Sequence, residues 1–364
     1  MIVYYNDSIL SYVSSIRKYY GLKNSYESNI KFDEVINLRK PHNIILMLID
    51  GMGANLINRK LDKDCFLKKN MLYVTTTVFP TATTAATTSI RNGKAPCENA
   101  WLGWNQYFKE VDDNIVLFRS TGFYNDKKYE DSFAWKTLPI KYIEDELNEK
   151  NIKSKVIFPK TIYDNGAEDF DDLCNQTLKA SKDTNTKFIY SYWDSYDSYM
   201  HKYGPSSKIC DSYLEHINYE IENLSNSLSK DTMLVVISDH GQVDVKSEYN
   251  LCGSKFDKYL RIKPSLEPRA CVFFIKEGMQ DEFEKEFKNE FEDNFILLNH
   301  TQIIDTHLFG DKNNHPRFEE FIGDFIAIAK TNMVLAYKDK LIETLKGQHG
   351  GAMDDEIYVP VIVY

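Results

Sequence analysis

"NIILMLIDGMG", Asn43–Gly53, is the stretch whose reading decides the fold. Ile44 to Ile49 are apolar without interruption, so the run has no polar alternate to turn toward water. A strand buried on both faces accounts for this, and such strands belong to parallel sheets covered by helices on each side. The run ends in Asp50-Gly51. In open α/β sheets ligands bind at the carboxyl ends of strands, where Asp50 would sit. An isolated Asp-Gly is more often a plain turn, so Asp50 needs partners from elsewhere in the chain.

Two further runs repeat the pattern. "KFIYSYWD" reaches Asp194 and flows into "SYDSYMHKYGP", where Asp197 and His201 lie four apart. On a helix that spacing puts a carboxylate and an imidazole on one face, able to grip a metal together. "TMLVVISDHGQ" is a second doubly buried strand ending in Asp239-His240-Gly241. A buried, unpaired Asp and His would cost several kcal/mol, so something should compensate them. Between these lies "VFPTATTAATTSIRNG", Val78–Gly93. It reads as a helix that begins near Thr83 or Thr84, has no acidic residue in its first turns and stops at Gly93. A hydroxyl at a helix start faces unpaired N–H groups and the positive end of the dipole, a place suited to a phosphate or an attacking alkoxide. The last piece is "GQHGG", where flanking glycines let His349 approach a ligand closely.

The 364 residues are 43% hydrophobic and 27% charged, enough for one large α/β domain with an insertion or for two domains. A formal net charge of −10 argues against coating nucleic acid, but not against a small phosphorylated substrate, because a bound cation can reverse the local field. Six cysteines show no CxxC pair, which suits free thiols in a reducing compartment. "MIVYYNDS" lacks a basic n-region and apolar h-region, and no run approaches the ~18 apolar residues of a membrane span. A soluble cytoplasmic protein without a membrane partner is expected, its oligomeric state open.

Asp7 or Ser8 can cap a helix through "SILSYVSSIRKYY", and a polar linker is expected from there to about Pro41. The aromatics of "CENAWLGWNQYFKE" either stack on a ligand or plug the sheet. The helix "DSYLEHINYEIENLSNSLS" has a core stripe that leaves His216 at the surface. "RACVFFI", "DNFILLN", "DFIAIAK" and "MVLAY" are strands, and "MQDEFEKEFKNEF" is a helix with Phe283, Phe287 and Phe291 on one face. The expected fold is α/β: a doubly wound, mixed but mostly parallel sheet with helices on both faces. Residues 1–249 and 341–364 form the catalytic core, with 1–40 a helical extension, and 250–340 form an inserted α+β cap-like unit.

Asp50, Thr83, Asp197, His201, Asp239, His240 and His349 thus collect at strand ends. Three carboxylates, three imidazoles and a hydroxyl suffice for two metal ions, and mixed N/O ligation without thiolate suits zinc ahead of manganese or another divalent ion. The ordered set "IDGMG", "FPTAT", "DSYMH", "SDHG" and "HGG…VP" resembles the alkaline phosphatase superfamily, in its nucleotide pyrophosphatase/phosphodiesterase branch. The resemblance implies one Zn2+ held by Asp197, His201 and His349. It implies a second held by Asp50, Asp239 and His240, which also binds the Thr83 oxygen. Thr81, Thr83 and Thr84 compete as nucleophile, and the motif's distance from Gly93 selects Thr83. The branch also uses an asparagine for a phosphoryl oxygen: Asn105 lies near that place with its register off by one, and Asn99 competes. Thr84 stands where nucleotide-cleaving members tend to carry an aromatic, and "CENAW" where many carry His-Gly, so the substrate need not be a nucleotide.

The implied activity is hydrolysis of phosphodiester or phosphoanhydride bonds in nucleotides or related small molecules, through a phospho-threonine intermediate. The alternatives are a phosphomonoesterase or phosphonate hydrolase on the same site, for which Arg91 is the nearest cation, and an inactive metal- or ligand-binding module.

Overall fold

Alternation along Asn43–Ile49 (β1) divides its side chains between two cores. Ile44, Leu46 and Leu48 join Ile9, Val13, Ile16, Phe32 and Ile36. Ile45, Met47 and Ile49 join Leu173, Leu214, Ile217 and Ile221. One strand is therefore apolar throughout because helices cover both of its faces. The computed structural model describes residues 3–130, 132–337 and 345–364.

With β1, the central sheet contains Met71–Thr76 (β2), Ser154–Ile157 (β3), Phe188–Trp193 (β4), Thr232–Ile237 (β5) and Tyr358–Val363 (β6). The strand order is β2-β6-β5-β1-β4-β3. Strand β1 runs parallel to β4 and β5, and β3 parallel to β4. Only β6 runs antiparallel to its neighbours, β2 and β5. This is the mixed, mostly parallel α/β sheet expected from the sequence.

The first helix, Ile9–Tyr19, is capped by Ser8, whose hydroxyl accepts from the Leu10 N–H at 3.3 Å. The polar linker expected after it contains a helix, Ile30–Arg39. Its only buried apolar residues are Phe32 and Ile36, one turn apart, while Ile30 and Leu38 are exposed and blur the period. Asn29 starts it by accepting from the Phe32 N–H at 3.0 Å.

A second sheet of seven antiparallel strands has the order Phe295–Asn299, Phe325–Ala329, Ala270–Ile275, Leu260–Glu267, Asn105–Phe108, Asp113–Val116, Thr121–Gly122. Helix Gln280–Phe291 packs Phe283, Phe287 and Phe291 against Phe273 and Phe325 of this sheet. The smaller α+β unit was expected to lie within 250–340. Its sheet also recruits the strands of 105–122, joined where Asn105 pairs with Leu266. The pairing spans far more chain than local periodicity can register. The boundary expected at 340/341 lies outside the described residues. Among the described residues no helix is long and apolar enough to cross a membrane, and all six cysteines are free.

Candidate metal centre and active site

The register of the central sheet aligns the ends that carry the site. Ile49 pairs with Trp193 and Leu48 with Ile237, so β1, β4 and β5 terminate side by side. Asp50 follows β1, Asp239 and His240 follow β5, and helix α2 (Ser195–Tyr203) follows β4 with Asp197 and His201 on it. Gly51 turns the chain after Asp50 at φ +74°, a conformation that favours glycine. Its N–H donates to Asp239 Oδ1 at 3.2 Å, tying two strand ends together.

Helix α1, Thr83–Asn92, arrives over these ends and closes at Gly93 in the left-handed conformation. Its N-cap, Ala82, has no side chain with which to satisfy the first turn, so the positive helix end remains open toward the cluster. The threonines of "FPTATT", Phe79–Thr84, separate by environment. Thr81 is fully buried: its hydroxyl donates to Gly351 O and accepts from the Gly350 N–H, both at 3.0 Å, and so holds the loop that carries His349. The Thr84 hydroxyl is buried without a partner. Thr83 is half-buried, with Oγ1 3.1 Å from His240 Nε2 and 3.5 Å from Asp50 Oδ1.

Around Thr83 the remaining residues converge. His240 Nε2 is 3.3 Å from Asp50 and 3.5 Å from Asp239. Asp197 lies 3.2 Å from His201 Nε2 and 3.9 Å from His349 Nε2. The His240 and His349 rings stack with centroids 3.9 Å apart, joining the two halves. Ligand atoms of Asp50, Asp239 and His240, and of Asp197, His240 and His349, lie within 4.8 Å of one another. All seven residues collected from the sequence therefore meet at one place. His216 stands apart on the surface, 2.8 Å from Asp171.

The electrostatics of the protein groups alone call for cations. Asp50, Asp197 and Asp239 are each at most 8% exposed, and among the described residues none has a Lys or Arg partner. Burial and then the charges of Asp239 and Asp197 push the Asp50 carboxyl well up. Burial also raises Asp239, against the pull of His240. Burial opposes ionisation of Asp197 too, but the charge and hydrogen bond of His201 outweigh it and hold that carboxyl low. Burial and the neighbouring His240 keep His349 neutral, the form in which an imidazole binds metal. Asp239 Oδ2 is buried with no hydrogen-bond partner, 3.5 Å from His240 Nε2. Three buried carboxylates, three imidazoles, one of them held neutral, and an oxygen without a hydrogen bond are the donor set of two N/O metal sites, and the residues fit such ions.

Several supporting residues carried no separate sequence signal. The Tyr192 hydroxyl, one residue inside the end of β4, donates to Asp50 Oδ2. Gln242 Nε2 donates to Asp197 Oδ1 at 2.5 Å, and the Thr77 hydroxyl donates to Asp239 O. Such outer contacts fix the orientation of metal ligands. Glu267 is buried beside the cluster, and Arg269 pairs with Glu356 beneath the His349 loop.

Other expected residues are engaged elsewhere. Asn105 Nδ2 donates one of its two N–H groups to Leu266 O at 3.0 Å, and Oδ1 is buried without a hydrogen-bond partner. Asn99 closes its own turn: Oδ1 accepts from the Trp101 N–H at 2.8 Å. Trp101 is a plug, fully buried against Phe118 and Trp135, with Nε1 donating to Leu138 O. Trp104 is half-buried under Arg119. Arg91 pairs with Glu144 and stacks 3.8 Å from the centre of the Tyr142 ring, so its charge is spent away from Thr83.

Carboxylates and imidazoles at strand ends, gathered under a helix-borne hydroxyl, are equipment for hydrolysis, and the class of protein is a hydrolase. Residues 44–352 match the family described as type I phosphodiesterase/nucleotide pyrophosphatase, and the chain belongs to that family. No curated protein sequence matches it. Among solved structures, murine ectonucleotide pyrophosphatase/phosphodiesterase 5 superposes with a TM-score of 0.67 at 16% identity, over 88% of this chain and 87% of that one. An inactive threonine-to-alanine variant of that murine protein is known in complex with AMP. Phosphonoacetate hydrolase from Sinorhizobium meliloti 1021, in complex with phosphonoformate, superposes with a TM-score of 0.67 at 15% identity, over 89% of this chain and 90% of that one. These likenesses establish the fold.

Proposed function

We propose that this chain is a zinc-dependent hydrolase of phosphodiester or phosphoanhydride bonds in small molecules, with Thr83 as nucleophile. The observation that carries this is the Thr83 hydroxyl, 3.1 Å from His240 and 3.5 Å from Asp50 at an uncapped helix start. Asp197, His201 and His349 would hold one ion, and Asp50, Asp239 and His240, with the Thr83 oxygen, the other. When bound, two such cations lower the pKa of the Thr83 hydroxyl and neutralise charge on the attacking and leaving oxygens.

Thr83 Oγ forms a bond to phosphorus while the bond to the leaving oxygen, on the opposite side, breaks. Water then cleaves the phospho-threonine and restores the hydroxyl. The N–H groups of the first turn of α1 point at the non-bridging oxygens that gain charge in both steps. Tyr192, Gln242 and Gly51 hold Asp50, Asp197 and Asp239 in place, so little reorganisation is needed during the reaction. A diester is favoured over a monoester because the extra charge of a monoester calls for a cation near the nucleophile, and Arg91 is committed to Glu144. The murine relative's AMP complex supports nucleotides as one substrate class. The likeness to phosphonoacetate hydrolase supports phosphonates as a second reading.

The test compares bis-p-nitrophenyl phosphate, a p-nitrophenyl nucleotide ester, p-nitrophenyl phosphate and phosphonoacetate, with metal content by elemental analysis. About two zinc equivalents and faster turnover of the diesters are expected. Thr83→Ala should abolish turnover and retain metal, whereas Thr81→Ala should retain turnover in proportion to the His349 loop's integrity. Full activity without metal, or activity surviving in Thr83→Ala, refutes the proposal.

A further inference from the structure

The segment that leads to the nucleophile, residues 77–83, is held from two directions. Toward the central sheet, the Thr77 N–H donates to Ile357 O at 2.9 Å and the Thr77 hydroxyl to Asp239 O. Thr81 holds the His349 loop through its hydroxyl, and its carbonyl oxygen lies 3.1 Å from His349 Nδ1. From the other side comes the start of the chain. Tyr5, 3% exposed, opens the short helical turn Tyr5–Asp7. Its hydroxyl accepts from the Phe79 N–H at 3.3 Å and donates to Leu308 O at 2.8 Å. Leu308 lies between the second-sheet strands Phe295–Asn299 and Phe325–Ala329. One phenol oxygen thus ties the nucleophile segment to the second unit. Rings reinforce the tie: Phe79, fully buried, packs on Phe309 with centroids 5.5 Å apart. Tyr5 is itself anchored, because the Ser8 hydroxyl donates to Tyr5 O at 2.7 Å and the Thr75 hydroxyl to Asp7 O at 2.8 Å.

The path from Phe79 to the reacting atom is short and stiff. Thr83 follows four residues later. Between them Pro80 has a fixed φ, the Ala82 N–H donates back to Pro80 O at 2.8 Å, and Thr81 is held at both hydroxyl and carbonyl. Few torsions are left to absorb a shift of Phe79, so such a shift reaches Thr83 and, through Thr81, His349. These two residues belong to opposite halves of the cluster, and a misplacement of ~1 Å at a reacting centre can cost about 100-fold in rate. We propose that Tyr5 is a positioning residue: its hydroxyl fixes the Phe79 backbone so that Thr83 Oγ1 meets His240 and Asp50 while the His349 loop keeps its place. The catalytic consequence rests on the proposed function, whereas the tie between Tyr5 and the segment stands apart from it.

Neighbouring Tyr26 supplies the control. Its ring lies 6.0 Å from that of Tyr5, and its hydroxyl is buried without a hydrogen-bond partner. Tyr5→Phe and Tyr26→Phe each remove one buried hydroxyl and keep the ring, but only the first strands the Phe79 N–H and Leu308 O. In the metal-loaded proteins, hydrogen exchange followed by mass spectrometry over residues 77–83 should quicken at Phe79 by about tenfold or more in Tyr5→Phe and stay as in wild type in Tyr26→Phe. With bis-p-nitrophenyl phosphate, kcat should fall about tenfold in Tyr5→Phe, with KM within about twofold and metal content retained, while Tyr26→Phe matches wild type. A merely structural role would lower the melting temperature and leave kcat per metal-loaded molecule unchanged. Wild-type kcat in Tyr5→Phe overturns the proposal, as does an equal loss in Tyr26→Phe. Should Tyr5→Phe not fold, the wild type decides: a Phe79 amide as slow to exchange as that of Thr77 supports the tie, and a faster one overturns it. A wild type that cleaves no diester refutes the proposed activity instead, and exchange alone then decides whether Tyr5 holds the segment.

Discussion

Arg269→Met should be among the most destabilising single changes in this chain, although Arg269 touches no metal ligand. Arg269 and Glu356 are both fully buried. Their contact is bidentate, Nε to Oε1 at 2.7 Å and Nη2 to Oε2 at 2.8 Å. Arg269 Nη1 donates to Thr331 O at 2.8 Å and Met333 O at 2.9 Å. Glu356 accepts in turn from the Gly351 N–H at 2.8 Å and the Met353 N–H at 3.1 Å. The pair thus bolts the second sheet to the loop that carries His349. Removing only the cation leaves Glu356 charged in a water-free site with two backbone donors for company, and the cost should be about 3–5 kcal/mol. Against a domain stability of about 5–15 kcal/mol, that is a large share. The double variant Arg269→Met/Glu356→Gln removes the stranded charge and should recover about 2 kcal/mol of the loss. Urea denaturation with an unchanged m-value measures both. Because the Gly351 N–H keeps its acceptor only while Glu356 stays in place, Arg269→Met should also weaken metal retention. A single variant within about 1 kcal/mol of wild type, or a double no better than the single, refutes the reasoning.

Other outcomes follow from the same geometry. Gln242→Ala removes the donor that orients Asp197 and should weaken metal binding by about 10–100-fold in competition with a chelator, leaving the fold by circular dichroism unchanged; undiminished affinity would mean that Asp197 needs no such support. After EDTA treatment, stability should depend on pH through Glu267. Its carboxyl sits at about 8 in the folded chain against an ordinary 4.5, so the unfolded chain binds fewer protons between those values. The stability it contributes is present below about 4.5 and is lost as pH rises through 8. Glu267→Gln should therefore gain on the wild type from pH 5 to pH 9, by up to about 5 kcal/mol, and parallel pH profiles for the two chelated proteins would contradict this.

Local pattern accounts for what was legible in the sequence. The apolar runs of β1 and β5, and that of β4 broken only by Ser191, read as strands covered on both sides, because each alternate side chain had to find a core. Their polar ends, Asp50 and Asp239-His240, then fell where a parallel sheet exposes its ligands. The turn at Gly93 and the spacing of Asp197 and His201 are likewise properties of a few consecutive residues. Helix Ile30–Arg39 escaped because two buried residues in ten make too weak a period.

What only the tertiary structure decided are the relations between distant segments. Three threonines in five residues look alike as sequence, and their difference lies in what each hydroxyl meets: the His349 loop for Thr81, nothing for Thr84, His240 and Asp50 for Thr83. Asn105 donates to Leu266, 161 residues away, a pairing that joins the strands of 105–122 to the second sheet and that no local pattern records. Glu267 at a strand end and Arg269 in the turn after it are ordinary charged residues until burial removes water from around them. Periodicity records which residues are buried, whereas the electrostatic role of a buried charge depends on which other charges the fold places beside it.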